Sequence, residues 1–513
     1  MKRKSLVRAH SSFALRASPF LLGAAILIMA FAFQGSRGIF SPDEGFYGSV
    51  AQSMLQTGDF LVPRLQQQPW LDKPPLSLWG IAAGMQVWGQ NEMGLRAFHA
   101  LCFVLTVLLV FVLGSSLGGK REGVLGAMIY ATMAIPFSAA NIVTPDTPLT
   151  LWTTAAFLCF WKSVKPDRRH PALWKMLLCA AMGLGFLTKG PAALVPAGAM
   201  IVFLLLERRT LRYLLTPWTV LGLALFAAIG LTWYAWIARE IPGALEYFLD
   251  NQVLGRTVSD KYARNPGLEG ALIYLPVVLL GTLPWSLFWW RSLWRGWRGI
   301  FKRPIWISIY GDSTKLFLAV WIAVPLLVLS AASSRLPLYP LPVFPALALA
   351  TARLLPGPAS GSASSANPLA LSRRMTLALA LWMLALVGLK LAAAYCPSSQ
   401  DMRALHGSIK KHLPAGPFEI VSVGEHLEAL ALYDAYFIEP VTTKATPYPF
   451  FVLPEHLDEE VAEIQFSDYS HVLICQNEDC ARQVRNALRK ASIPFEESAL
   501  PFGRYLFVCP PVK

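Results

Sequence analysis

The chain of 513 residues is long enough for several soluble domains, yet 55% of it is hydrophobic and only 15% is charged. That balance excludes a conventional soluble enzyme. The net charge of +14 does not point to nucleic acid, because Lys and Arg cluster in short stretches between apolar runs, as the positive-inside rule expects.

The N-terminus carries Lys2, Arg3, Lys4 and Arg8 and then the apolar run Phe20–Phe33. No small-residue cleavage site follows and further apolar runs do, so this reads as a first membrane helix with a cytoplasmic N-terminus. Further apolar runs lie near 96–117, 123–140, 147–162, 173–188, 190–206, 214–237, 270–290, 315–332, 337–355 and 375–394. Together they predict about eleven spans. Pro75–Gly89 is apolar but short, and is expected to lie in the interface.

With that segment counted as interfacial, Lys120/Arg121, Lys165/Arg168/Arg169, Arg208/Arg209/Arg212 and the basic residues between Arg291 and Arg303 all fall on the cytoplasmic side. Segments 35–95, 141–146, 188–190, 238–269 and 332–337 then face outward. Pro356–Pro368, rich in Gly, Ser and Ala, reads as a flexible cytoplasmic loop.

After Tyr395 the composition becomes that of a soluble domain. Phe418–Val423 and His471–Cys475 read as buried strands, Glu478–Lys490 as an amphipathic helix and Arg504–Val508 as a closing strand. The expected fold is mainly α: a polytopic helix bundle over 1–395, with an outer loop 35–95, and a small extracytoplasmic α/β domain over 396–513. Cys102, Cys159 and Cys179 lie in apolar runs as small hydrophobes. Cys396, Cys475, Cys480 and Cys509 are available for disulfides if their domain is outside.

The outward segments collect the polar chemistry. Asp43, Glu44, Tyr47, Asp59, Arg64, Asp72 and Lys73 lie in the first. Asp146 lies in the second and Lys189 in the third. Arg239, Asn251, Arg256, Lys261 and Arg264 lie in the fourth, and Arg335 and Tyr339 in the fifth. Cations at headgroup level suit a lipid phosphate and the negative charge that develops on it as a leaving group. A carboxylate nearby suits an acceptor hydroxyl. The bland alternative for each cation is a helix-end anchor snorkelling to the interface. Their joint occurrence on one face favours a site.

Asp43-Glu44-x-x-Tyr47, Lys73-Pro74-Pro75, Arg96 in Gly-Leu-Arg-Ala-Phe, Thr144-Pro145-Asp146, Lys189-Gly190-Pro191 and Arg335-Leu336-Pro337-x-Tyr339 occur in this order. Tyr274-Leu275-Pro276 and Leu283-Pro284-Trp285 follow in the eighth span. As a set over roughly residues 35–350, these motifs resemble the aminoarabinose (lipid A) transferases, with related motifs in protein O-mannosyltransferase-like enzymes. The resemblance implies a C-type, inverting glycosyltransferase of a bacterial inner membrane, with its active site and C-terminal domain periplasmic. The implied partners are a polyprenyl-phosphate-linked sugar donor, a lipid, glycan or protein acceptor, and membrane lipids.

Carried over residue by residue, Asp43 resembles the catalytic carboxylate, Glu44 stands beside it and Asp146 is the second acidic residue. Lys73, Lys189, Arg335 and Tyr339 resemble donor-phosphate ligands, and Tyr47, Arg64, Arg96 and Arg256 substrate contacts. The pattern makes no cofactor certain and leaves a divalent metal ion open. Asp43, Glu44 and Asp146 offer oxygens to a divalent metal ion, but the sequence shows no dedicated cage. Segment 238–269 has no His where the aminoarabinose enzymes tend to carry one, which puts that sugar in doubt. The reading from a different class is a lipid-linked-sugar flippase or transporter. Spans with charge-free centres and no internal repeat count against it.

Overall fold

The computed structural model describes residues 19–165, 170–255, 264–289, 309–355, 373–434, 436–443 and 455–511. The basic cluster 291–303, Arg168, Arg169, Lys261, Arg256 and the stretch 356–368 lie outside the described residues. The chain is mainly helical, with a mixed sheet near its C-terminus.

In chain order the helices begin with α1 (Pro19–Phe31), α2 (Asp43–Thr57), α3 (Leu76–Trp88), α4 (Glu92–Gly118), α5 (Lys120–Thr132), α6 (Ala134–Ala139) and α7 (Asp146–Val164). Then come α8 (Pro171–Lys189), α9 (Val195–Leu206), α10 (Pro217–Gly230), α11 (Thr232–Glu240), α12 (Gly267–Leu272) and α13 (Tyr274–Gly281). Helices α14 (Ser313–Ala331), α15 (Phe344–Leu354) and α16 (Arg373–Ala392) complete the bundle. Among the described residues, four helical runs are long and apolar enough to cross a membrane, or five if α10 and α11, bent by 43°, are taken as one. Helix α3 has 13 residues, too short for a 30 Å hydrocarbon layer at 1.5 Å per residue. It packs between α2 and α4.

The helix ends form two sets. At one end Lys165 donates to the Ser116 carbonyl at 3.5 Å, Glu122 pairs with Arg353 at 2.7 Å, and Glu207 accepts from Ser313 at 2.7 Å. Lys175, at the start of α8, donates to the Tyr213 carbonyl, just beyond α9, at 2.6 Å. The chain therefore leaves this end along α8 and returns along α9. The turn between them is at Lys189 (φ −142°, ψ 14°) and Gly190 (φ 63°, ψ −140°). That positive φ favours glycine, and a Cβ at Gly190 would also sit 2.8 Å from the Tyr234 hydroxyl oxygen.

The C-terminal region carries α17 (Met402–Ile409), α18 (Leu457–Ile464) and α19 (Glu478–Lys490). A small hairpin, β1 (Arg64–Leu65) with β2 (Gln68–Pro69), precedes α3. The main sheet uses β3 (Phe418–Val423), β4 (Ile438–Thr442), β5 (Glu455–His456), β6 (Ser470–Cys475), β7 (Glu496–Leu500) and β8 (Arg504–Cys509), in the order β5-β4-β3-β6-β8-β7. β5, β4, β3 and β6 are parallel, and β8 and β7 are antiparallel. All seven cysteines are free thiols, so none of the disulfides open to Cys396, Cys475, Cys480 and Cys509 is present in this structure. Cys475, Cys480 and Cys509 are buried, whereas Cys396 is exposed.

The sheet domain docks on α2. Ser49 Oγ donates to the Glu428 carbonyl at 2.7 Å, and Ser41 donates to the His426 carbonyl. A Cβ on Gly45 would lie 2.9 Å from the Ala429 nitrogen, so only glycine admits this approach without a shift. Arg403 pairs with Glu92 at 2.7 Å alongside.

Candidate functional site

The end of the bundle facing the sheet domain encloses a chamber of about 820 Å³. Asp43 is the first residue of α2 and Asp146 the first of α7, so helix N-termini favour their negative charges. Lys189 lies in the last turn of α8, where a cation is favoured. All three line the chamber with Asp72, Lys73, Arg264 and Tyr339. Phe46, Tyr47 and Trp70 form an aromatic wall, and Glu425, His426 and Pro440–Thr442 of the sheet domain close the far side.

The cations are held by partners. Lys189 donates to Asp146 at 2.5 Å and lies 4.3 Å from the Tyr339 ring centroid. Lys73 pairs with Asp72, whose other oxygen accepts from Gln252 at 3.0 Å. The Asp43 carboxylate opens into the chamber. Burial raises its pKa above the ordinary aspartate range, reinforced by Asp146 and Asp72 and opposed by Lys73 and Arg264. His426 stacks edge-on to Phe46 at 4.8 Å. Burial depresses its pKa, but the hydrogen bond to Glu428 and the charges of Glu428 and Glu425 outweigh that and leave it raised.

A second, apolar cavity of about 540 Å³ runs between α8, α9, α11 and α14, walled by residues such as Leu149, Phe186, Val195, Leu249, Pro325 and Leu329. Asp72, Lys73, Asp146, Lys189 and Tyr339 line both cavities. A polar chamber thus opens onto an apolar groove at a junction carrying two ammonium groups. That junction suits an amphiphile with an anionic head and a long hydrocarbon tail.

Chain comparisons agree with this geometry. Residues 72–236 match the family model described as dolichyl-phosphate-mannose-protein mannosyltransferase. An undecaprenyl phosphate-alpha-4-amino-4-deoxy-L-arabinose arabinosyl transferase of Edwardsiella ictaluri is 32% identical over 317 residues, 61% of this chain and 55% of that protein. A Yersinia enterocolitica protein of the same name is 29% identical over 338 residues, 64% of this chain and 58% of that one. The crystal structure of ArnT from Cupriavidus metallidurans bound to undecaprenyl phosphate superposes with a TM-score of 0.76 at 18% identity. It covers 95% of this chain and 97% of that one, and shows the shared fold.

Over these segments the chain is similar to the aminoarabinose transferases and to the dolichyl-phosphate-mannose-protein mannosyltransferase family, and it shares the fold of the former. It is an integral membrane protein. The matched segments span little more than half the length of these curated relatives.

The motif residues quoted from the sequence do not all face the chamber. Glu44, expected beside the catalytic carboxylate, is 1% exposed and accepts from Arg37, from Arg96 and from the Phe40 amide. Burial opposes its ionisation, but the paired charges of Arg96 and Arg37 hold its pKa at about 2. Arg96, expected at substrate, is equally buried and spends its remaining donors on the carbonyls of Gln34, Arg37 and Gly38. These residues brace the outer loop. Arg64 sits on the β1–β2 hairpin facing Asp59 at 3.8 Å and lines neither cavity.

Arg335 also departs from the expected phosphate role. Its guanidinium donates to the carbonyls of Ser330, Asn265 and Gly267 at 2.8–3.1 Å, tying the loop that carries Arg264. Arg256 lies outside the described residues. Asp43 and Asp146 are brought together, whereas Glu44 is turned away from any metal they would share. The residues that sequence reasoning missed are Gln252, Glu425 and His426, and it gave Asp72 no role of its own. Asp72 adjoins a quoted motif, whereas Gln252, Glu425 and His426 carry no motif signal.

Proposed function

We propose that this chain is an inverting glycosyltransferase that moves a monosaccharide from a polyprenyl phosphate to an acceptor at the outer face of a bacterial inner membrane. The observation that carries this reading is the junction at which Asp72, Lys73, Asp146, Lys189 and Tyr339 belong to both the polar chamber and the apolar groove. The groove takes the polyprenyl tail, Lys73 and Lys189 hold the phosphate, and the sugar projects into the chamber towards Asp43. The relatives' names specify undecaprenyl phosphate and an amino-deoxy pentose, which supports the donor class.

The acceptor oxygen forms a bond to the anomeric carbon while the bond from that carbon to the phosphate oxygen breaks, and polyprenyl phosphate departs. Lys73 and Lys189 stabilise the charge gathering on the phosphate. Where the acceptor is a hydroxyl, Asp43 takes its proton. Where it is a lipid phosphate, already ionised, Asp43 positions the acceptor or stabilises positive charge developing on the sugar. The aromatic wall and the sheet domain's Glu425 and His426 form the acceptor side, and a lipid bearing a saccharide fits its mixed character.

The two sets of helix ends support about eleven crossings, with α5–α6, α10–α11 and α12–α13 each serving as one interrupted span. The junction and the domain of 396–513 then face the periplasm.

The test is transfer of radiolabelled sugar from a panel of polyprenyl-phosphate monosaccharides in membranes, wild type beside Asp43→Asn. Transfer by the wild type that is lost in the variant supports the reading and names the donor. Folded wild type that transfers from no donor in the panel, with acceptors present, overturns it in favour of a flippase.

A further inference from the structure

On the face of the sheet covered by α18, Glu439 (β4), Glu455 (β5) and Glu460 (α18) converge, and none of the three lines the chamber. One carboxylate oxygen from each lies within 4.8 Å of the other two. Glu419 on β3 and Glu463 on α18 add their charge to the same neighbourhood. Among the described residues, no Lys or Arg pairs with any of these five glutamates.

A second observation points inward. The Glu460 side chain is 0% exposed; one oxygen faces His471 Nδ1 at 3.1 Å, while Oε2 is buried without any hydrogen-bond partner. His471 is itself buried, and Tyr469 stacks on it at 4.8 Å while donating to Glu419 at 3.1 Å. An ionised carboxylate oxygen left unpaired in the interior is costly unless something positive meets it. His471 and Tyr469 hold their glutamates in place as outer partners hold metal-ligating groups.

We propose that Glu439, Glu455 and Glu460 form a binding site for a hard divalent cation, calcium by preference. All the donors are carboxylate oxygens, with no thiolate, which suits a hard ion rather than a soft one. Calcium, with ligand distances of about 2.4 Å, spans oxygens up to about 4.8 Å apart; magnesium, at about 2.1 Å, requires a tighter cage. The ion would clamp β5 and α18 to β4, whose next residues, Pro440–Thr442, wall the chamber. The proposal does not rest on the transferase reading.

The experiment uses the full chain, stripped with a chelator in detergent micelles and titrated with Ca²⁺ alone by calorimetry and with Tb³⁺ by luminescence. The expected result is saturable binding of a single equivalent with a rise in melting temperature. Glu439→Gln and Glu455→Gln should each weaken it by about tenfold or more. Glu455 is exposed, so its variant should keep the fold. No saturable binding by folded wild type overturns the proposal, as does binding unchanged in both variants. Binding lost in Asp43→Asn but retained in the glutamate variants places the cation in the chamber and overturns it too. Magnesium binding more tightly than calcium overturns the choice of ion.

Discussion

Lys189 reaches Asp146 at 2.5 Å at the point where the chamber and the groove meet. An ammonium held by a single carboxylate at the junction keeps donors free for an incoming phosphate, whereas Arg335 commits its Nε and Nη1 donors to carbonyls and lines neither cavity. Lys189→Met should therefore weaken use of a polyprenyl-phosphate donor by roughly ten- to a hundredfold, the range for a lost charge-assisted contact. Arg335→Met should act instead by loosening the 264–267 loop, lowering the melting temperature. Initial rates against donor concentration, beside thermal melts, separate the two effects.

Asp43 acts as a base only when ionised, and its pKa is raised by burial. Activity with a hydroxyl acceptor should fall as pH drops through that raised pKa, at a higher pH than a solvated aspartate would give. Lys73 lowers the Asp43 pKa, so Lys73→Met should raise it further and move the acid limb of the pH–rate profile upward by about one pH unit. The profile of kcat/KM in both proteins is the measurement.

Glu44, Arg37 and Arg96 form a buried cluster whose charges are matched by bonds to one another and to carbonyls. Arg96→Met should cost about 3–5 kcal/mol of stability, because the Glu44 carboxylate then loses its bidentate partner. Arg96→Lys should rescue little, since an ammonium lacks the planar fork that reaches both the carboxylate and the carbonyls. Melting temperatures in detergent will show whether the loss follows this geometry.

Gly45 fits against Ala429 with no room for a methyl group. Gly45→Ala should displace the sheet domain from α2 at a cost of about 1–3 kcal/mol. Because Glu425 and His426 lie just before that contact, the variant should raise KM for the acceptor more than for the donor. Steady-state kinetics with each substrate varied in turn will test this.

Much of the bundle was legible because apolar runs and basic clusters report directly on a membrane, and the strand Phe418–Val423 and helix Glu478–Lys490 lie where the sequence placed them. The motif residues Asp43, Lys73, Asp146, Lys189 and Tyr339 do converge. What the motifs concealed was direction. Neighbouring residues on a helix point about 100° apart, so Asp43 faces the chamber while Glu44 faces Arg96. Whether an arginine spends its fork on ligand or on carbonyls, as at Arg335, depends on backbone brought from 70 residues away. His426 and Glu425 sit hundreds of residues from Asp43, and no local pattern announces their arrival.

The shared lining of the two cavities has a kinetic corollary. If the donor's phosphate rests at the junction, the spent carrier is left on the same ammonium groups after transfer, with its tail still lodged between helices. A fresh donor enters only after that product slides sideways into the bilayer. Turnover then depends on how readily the surrounding lipid exchanges with the groove, so acyl-chain composition and free carrier phosphate become brakes on the enzyme.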